Sequence, residues 1–226
     1  MTGATSLDDD EALWRLDLGS VNAYLVDDGD VTLVDAGTPR SVDDIRDGLS
    51  TAGYTVADVD RVLVTHFDLD HVGGLAGLDL DCPLYAMEPD ASFLDGSRKP
   101  PLRNGKGLFQ RVAGAFLTLP EGPVFRLDDE ESIGGFVAHH TPGHTPGHTA
   151  FHHPELGVAL VGDLVRESGG ELGTLPWPMA YDKGRNRESV HRLAARELNF
   201  DVLGMGHGRP LPADGAEVLA RLARAI

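Results

Sequence analysis

Residues 61–65 (RVLVT) make a β-branched apolar run, and directly after it the chain places His66, Asp68, Asp70 and His71, followed by Gly73-Gly74. A run of that kind has the length and composition of a buried strand. Three later segments also bring imidazole or carboxylate to the end of an apolar stretch: HHTPGHTPGH with His144, ALVGDLV with Asp163, and GMGHGRP with His207. A fold that collects such strand ends at one edge aims these side chains into a shared cleft. In an extended tip His66 and Asp68 point to the same side, because they are two residues apart. Asp70 and His71 need a turn to face the same cavity, and Gly73-Gly74 gives the freedom to make one. Pro142 and Gly143 build a tight loop before His144. Imidazoles and carboxylates in this number are enough for two hard or borderline divalent ions.

The surrounding pattern is α/β. Residues 13–18, 21–26 and 31–34 alternate or run apolar over strand-like lengths, with turn signals at Gly19-Ser20 and Asp28-Gly29-Asp30, which predicts a β-meander. Ser41 with Asp44 is a capping-box-like start for a helix over 42–52, stopped by Gly53. Further strands are predicted at 135–139, 149–152, 157–161 and 200–205. Helices are predicted at 107–119, 188–198 and 216–225, with a Gly/Pro-rich loop over 167–178. No boundary stands out by composition and there is no internal repeat, so one domain over 1–226 is expected.

Composition narrows the classes. Hydrophobic residues make up 41% and charged residues 24% of 226 residues, as in a globular protein. No apolar run approaches the roughly 20 residues of a membrane span. The N-terminal MTGATSLDDDEALW lacks the basic and apolar regions of a secretory signal, so a cytoplasmic location is expected. The lone cysteine, Cys82, cannot form an intramolecular disulfide or a thiolate zinc site, and its place before Pro83 reads as a buried structural thiol. A net charge of −17 argues against nucleic acid as partner; the oligomeric state is open, and the small-molecule substrate expected comes with the chemistry implied below. The only lysines are Lys99, Lys106 and Lys183. Runs such as Asp8-Asp9-Asp10 and Asp128-Asp129 read as a solvated acidic surface, suited to a salt-adapted host or simply to solubility.

Together with VDAG at residues 34–37, these motifs resemble the metallo-β-lactamase superfamily in order and spacing from about Ala23 to Pro210. The resemblance implies a four-layer αββα sandwich of two mixed β-sheets with the metals at one edge. It implies a first metal held by His66, position 68 and His144, a second held by Asp70, His71 and His207, and Asp163 bridging the two. The TPGHTPGH loop is most similar to that of the glyoxalase II and lactonase-like hydrolases. The family pattern has His at position 68, whereas this chain carries Asp68, so the motif reads HxDxDH. Zinc is the metal the family implies, and the added carboxylate opens iron or manganese. The expected chemistry is hydrolysis of a small ester, thioester or lactone by a water activated between two ions, with Asp70 orienting it and relaying its proton. Two other readings stand beside it: a mononuclear non-haem iron oxygenase similar to persulfide dioxygenases, and a metal-binding protein without turnover. Asp68 is either a ligand or a hydrogen-bonding neighbour of an empty first site. Asp35 is expected behind the ligands, and His148 in a supporting or substrate-edge position. His139, His140, His152, His153 and His191 are read as paired or exposed, and Phe109, Trp177 and Tyr181 as pocket wall or loop packing.

Overall fold

The computed structural model describes residues 3–102, 105–114, 117–175 and 179–226. The apolar runs of the N-terminal third become adjacent antiparallel strands: β1 (Gly3–Ser6), β2 (Leu13–Asp17), β3 (Asn22–Asp27) and β4 (Val31–Val34). Helix α1 (Val42–Thr51) then carries the chain back, so that β5 (Arg61–Leu63) runs parallel to β4. Two short helices, α2 (Leu69–Val72) and α3 (Leu75–Leu78), lead to β6 (Leu84–Met87). Helices α4 (Asp90–Leu94) and α5 (Gly105–Ala113) lead to β7 (Val124–Leu127), and both strands extend the sheet in parallel. The second sheet takes β8 (Ser132–Ile133), β9 (Phe136–His140), β10 (Thr149–His153) and β11 (Val158–Leu160) as an antiparallel set. A hairpin of β12 (Arg166–Ser168) and β13 (Glu171–Gly173) and helix α6 (Lys183–Ala195) follow. Then β14 (Val202–Gly204) pairs parallel with β11, and α7 (Gly215–Ala225) closes the chain.

Three apolar clusters define the layers. Leu13, Tyr24, Val26, Val34 and Leu63 of the first sheet pack on Phe136, Ala138, Phe151, Val158 and Leu160 of the second. The opposite face of the first sheet, including Leu16, Leu25, Leu33 and Val62, is covered by Ile45 and Leu49 of α1 and by Leu75 and Leu78 of α3. The opposite face of the second sheet is covered by Val190 and Leu193 of α6 and Leu219 and Ala223 of α7. Strands buried on both faces read as continuous apolar runs, which is why β3 to β5 carry few polar positions. The result is the four-layer αββα sandwich of two mixed sheets. No helix of the described residues is long and apolar enough to cross a membrane. Cys82 is buried against the first cluster, and burial pushes its thiol up to about 11.

The differences from the sequence-based expectation have local causes. Ser41 does not cap α1; its hydroxyl turns back to accept Thr38 N at 3.1 Å. Helix α5 spans Gly105–Ala113 rather than 107–119, and residues 115–116 of that expectation lie outside the described ones. Helix α6 begins at Lys183 rather than 188, because the Asp182 side chain accepts Arg185 N at 3.0 Å and starts the helix there. The segment expected as a loop over 167–178 contains the β12–β13 hairpin, turning through Gly169 and Gly170 at φ +64° and +88°. Strands β1, β6 and β7 have no counterpart in the sequence-based expectation.

Candidate metal centre

The first sheet delivers four of the seven candidate groups from the connection between β5 and α2. Asp68 is the residue preceding α2, in extended conformation, and Asp70 and His71 stand on the helix itself. The turn is therefore helical and does not use glycine's freedom: Gly74 has φ −79° and Gly73 lies at −64°. These glycines serve close packing instead, since a Cβ on Gly73 would meet Leu69 O and Pro39, and one on Gly74 would meet Ala36 O. The second sheet supplies the rest. His144 lies in the β9–β10 loop, Asp163 in a one-turn 3-10 helix after β11, and His207 just after β14. Gly206 allows the approach, because a Cβ there would collide with Asp163 and His71.

The donor atoms fall into two groups. In one, His66, His144 and Asp163 offer ligand atoms within 4.8 Å of one another; in the other, Asp70, His71 and His207 do the same. His66 Nε2 and His144 Nε2 are 3.1 Å apart, and His144 Nε2 is 3.4 Å from Asp163 Oδ2. His207 Nε2 lies 3.4 Å from both Asp70 Oδ2 and Asp163 Oδ2, and His71 Nε2 is 3.6 Å from Asp163 Oδ1. Donors bonded tetrahedrally to zinc at about 2.0–2.1 Å stand about 3.3 Å from each other, so this spacing suits a bound ion. The decisive observation is polar. His71 Nε2, Asp163 Oδ1 and His207 Nε2 are buried with no hydrogen-bond partner among the described residues, although such groups are normally satisfied. A divalent ion would satisfy all three, so the residues fit one.

The far ring nitrogens are held in place. Asp35 Oδ2 sits 2.7 Å from His71 Nδ1, while Asp35 also accepts Thr65 N at 2.8 Å and Thr65 Oγ1 at 2.7 Å. His66 Nδ1 contacts Thr65 Oγ1 at 2.9 Å, and His207 Nδ1 is 2.7 Å from Ser20 O. This pattern fixes the ring orientation of metal-ligating histidines. Charge follows the same division. Burial would lower His207, but Asp163 and Asp70 outweigh it and push the imidazole up to about 10. Burial likewise opposes the charge on His71, and Asp35 and Asp163 carry it well above its ordinary value. His144 goes the other way, down to about 4, through burial and then the neighbouring Lys106. The Asp70 side chain is 37% exposed, so the centre opens to solvent on the Asp70–His207 side.

The family model described as the metallo-beta-lactamase superfamily matches residues 16–207. The chain belongs to this superfamily. It is 28% identical over 213 residues to the uncharacterized protein YobT of Bacillus subtilis strain 168, covering 88% of this chain and 89% of that protein. Among solved structures it is similar to the metallo-beta-lactamase family protein TTHA1429 from Thermus thermophilus. That match has a TM-score of 0.70 and 26% identity, over 95% of this chain and 79% of that one. It is also similar to TTHA1623 in a di-iron-bound form, with a TM-score of 0.65 and 30% identity over 91% of this chain and 95% of that one.

Against the superfamily pattern, the structure brings six of the predicted residues into the two donor groups and sets Asp68 at their margin. Asp68 Oδ2 is 3.0 Å from His144 Nε2 and 3.3 Å from His66 Nε2, yet it also lies 2.7 Å from Lys106 Nζ. Burial would raise its carboxyl, but Lys106, His144 and His66 hold it well below the usual range. Lys106 and Gln110 were missed as site residues; Lys106 carried a signal, being one of only three lysines. His148 supports the site, its Nδ1 2.8 Å from Thr141 Oγ1 and its Nε2 accepting Asp163 N at 3.1 Å. His140, His152 and His153 are paired with Pro146 O, Asn199 O and Asp28 respectively. His139 departs from expectation: it is buried, and neither ring nitrogen has a partner among the described residues. His191 is on the surface and Phe109 is 68% exposed. The Tyr181 hydroxyl donates to Gln110 Oε1, and Trp177 lies outside the described residues.

Proposed function

We propose that the protein is a metal-dependent hydrolase that cleaves a small ester, thioester or lactone in the cytoplasm. His66, His144 and Asp163 would hold one divalent ion, and Asp70, His71 and His207 a second, with Asp163 shared and Asp68 able to join the first. The observation that carries this reading is the set of three orphaned buried atoms, His71 Nε2, Asp163 Oδ1 and His207 Nε2, converging between the sheets. Divalent ions bound there supply Lewis acidity, which lowers the pKa of water toward neutrality and polarises a carbonyl oxygen. Asp70 is the half-exposed carboxylate of the centre, 3.4 Å from His207 Nε2, so it is placed to orient an incoming water and take its proton. Asp35 and Ser20 O hold His71 and His207 in the orientation this requires. Zinc is the metal this reading takes, on the resemblance to the superfamily.

A second reading is favoured by one observation. His66, Asp68 and His144 present two imidazoles and a carboxylate with mutual donor distances of 3.0–3.3 Å. That set suits non-haem iron, and the similarity to the di-iron-bound TTHA1623 supports iron as the metal. Under it the protein is an oxygenase acting on a persulfide. Metal analysis with assays on thioesters, lactones, esters and persulfides tests both readings. The hydrolase reading expects turnover of one of the first three, lost on chelation and restored by a divalent metal without oxygen consumption. Turnover that survives complete metal removal would contradict it.

A further inference from the structure

The departure at position 68 has a counterpart on α5. Lys106 and Gln110, four residues apart, lie on one face of that helix and take one oxygen each of the same carboxylate. Gln110 Nε2 donates to Asp68 Oδ1 at 2.8 Å and to Phe67 O at 2.5 Å. Lys106 Nζ is 2.7 Å from Asp68 Oδ2, 2.5 Å from His144 Nε2 and 3.0 Å from Met179 O. The lysine side chain is 6% exposed, and a buried ammonium is sustained only by close partners of this kind. An ammonium has three donors and no acceptor, so it engages Asp68 and His144 through their lone pairs. Those are the electrons that a metal in the first half of the centre would use.

We propose that Lys106 is the resident cation of the first half, so that the second half is the tight divalent site and the first loads only at much higher metal concentration. The inference rests on the reading of the site as a metal centre. It accounts for Asp68: a carboxylate at this position holds an ammonium, which an imidazole cannot do as well. It also makes the centre asymmetric, with an exchangeable divalent ion beside Asp70 and a tethered monovalent cation beside Asp68. Lys106 is thus a positioning residue that sets metal occupancy.

Calorimetric titration of the metal-free protein with Zn²⁺ and with Mn²⁺ tests it. The wild type should show one tight site and a second at least about a hundredfold weaker. Lys106→Met keeps the length of the side chain and removes its charge. It should tighten the weak site at least about tenfold, because two cations a few ångströms apart in a poorly screened interior repel strongly. The tight site should stay within about threefold. Gln110→Leu, which loosens Asp68 without changing charge, should leave the weak site where it was. Two tight sites of comparable affinity in the wild type would overturn the proposal whether or not the variants fold. So would a weak site unmoved in a folded Lys106→Met. Failure of the wild type to bind either metal would overturn the metal-centre reading along with it.

Discussion

Asp35 shows what single residues contribute here. It sits at φ +61°, a left-handed conformation that costs a non-glycine residue roughly 1 kcal/mol or more, and its carboxylate is held by Thr65 N, Thr65 Oγ1 and His71 Nδ1. Such strain persists where the surroundings over-determine it, and here they aim His71 at the centre. Asp35→Asn replaces one acceptor oxygen by a donor and disturbs the tautomer that leaves Nε2 free for metal. The expected outcome is metal affinity lower by about 10- to 100-fold, read by competition with a chromogenic chelator. Affinity equal to wild type would show that the contact is incidental. At this scale the six residues of the two donor groups were legible as candidates, because each closes an apolar strand or a Gly-containing loop and so advertises a rigid position, whereas Asp68 stands at their margin. Lys106 was not. Its contacts to Asp68 and His144 join α5 to segments 38 residues away in either direction, and nothing in the local pattern of a half-exposed helix points to them.

Elements were legible where burial imposes a period and obscure where it does not. β2, β3, β4 and β10 emerged close to their observed bounds, since their side chains fill the apolar clusters on the two faces of their sheets. The edge strand β1 holds only exposed or half-buried residues and β7 buries only Leu127, so neither carries such a signal. The β9–β10 pair also holds a buried histidine outside the metal centre. Burial first, and then Arg196 and His152, bring His139 down to about 4, with Asp129 and Glu130 only partly opposing them. Its folded pKa is below the unfolded value of about 6.5, so between these pH values the unfolded chain binds a proton that the folded protein does not. Stability is therefore lost as pH falls from about 6.5 to about 4, by about 2 kcal/mol at pH 5 from this residue. Replacing it, in His139→Leu, removes that component. Urea unfolding at pH 7.5 and pH 5 should show the variant losing about 2 kcal/mol less than wild type between the two. Equal losses would mean that His139 is already charged in the native state.

The whole molecule carries 36 acidic against 19 basic residues, a difference of −17. Surface pairs such as Arg196 with Asp129 and Glu130, or Arg126 with Glu88 and Asp95, offset only part of the repulsion. Near 1 M KCl the Debye length falls to about 3 Å, which weakens those pairs but weakens the far more numerous acid–acid repulsions more. With metal kept saturating, the melting temperature should rise from dilute buffer to 1 M KCl; a flat or falling trend would contradict adaptation of this surface to salt. The overall architecture was legible through the resemblance, because the order and spacing of the motifs match a superfamily whose fold brings those strand ends together. The centre itself belongs to this scale, since His66, Asp70 and His71 come from the first sheet, while His144, Asp163 and His207 come from the second. Asp163 reaches both donor groups, lying within 3.4–3.6 Å of His144, His71 and His207. The most direct measurement is the metal content of purified wild type and Asp163→Asn, determined by elemental mass spectrometry alongside circular dichroism. A wild type with at least one equivalent of divalent metal, and a folded variant that has lost most of it, is the predicted result. A metal-free wild type, or a variant retaining the full complement, would contradict the account.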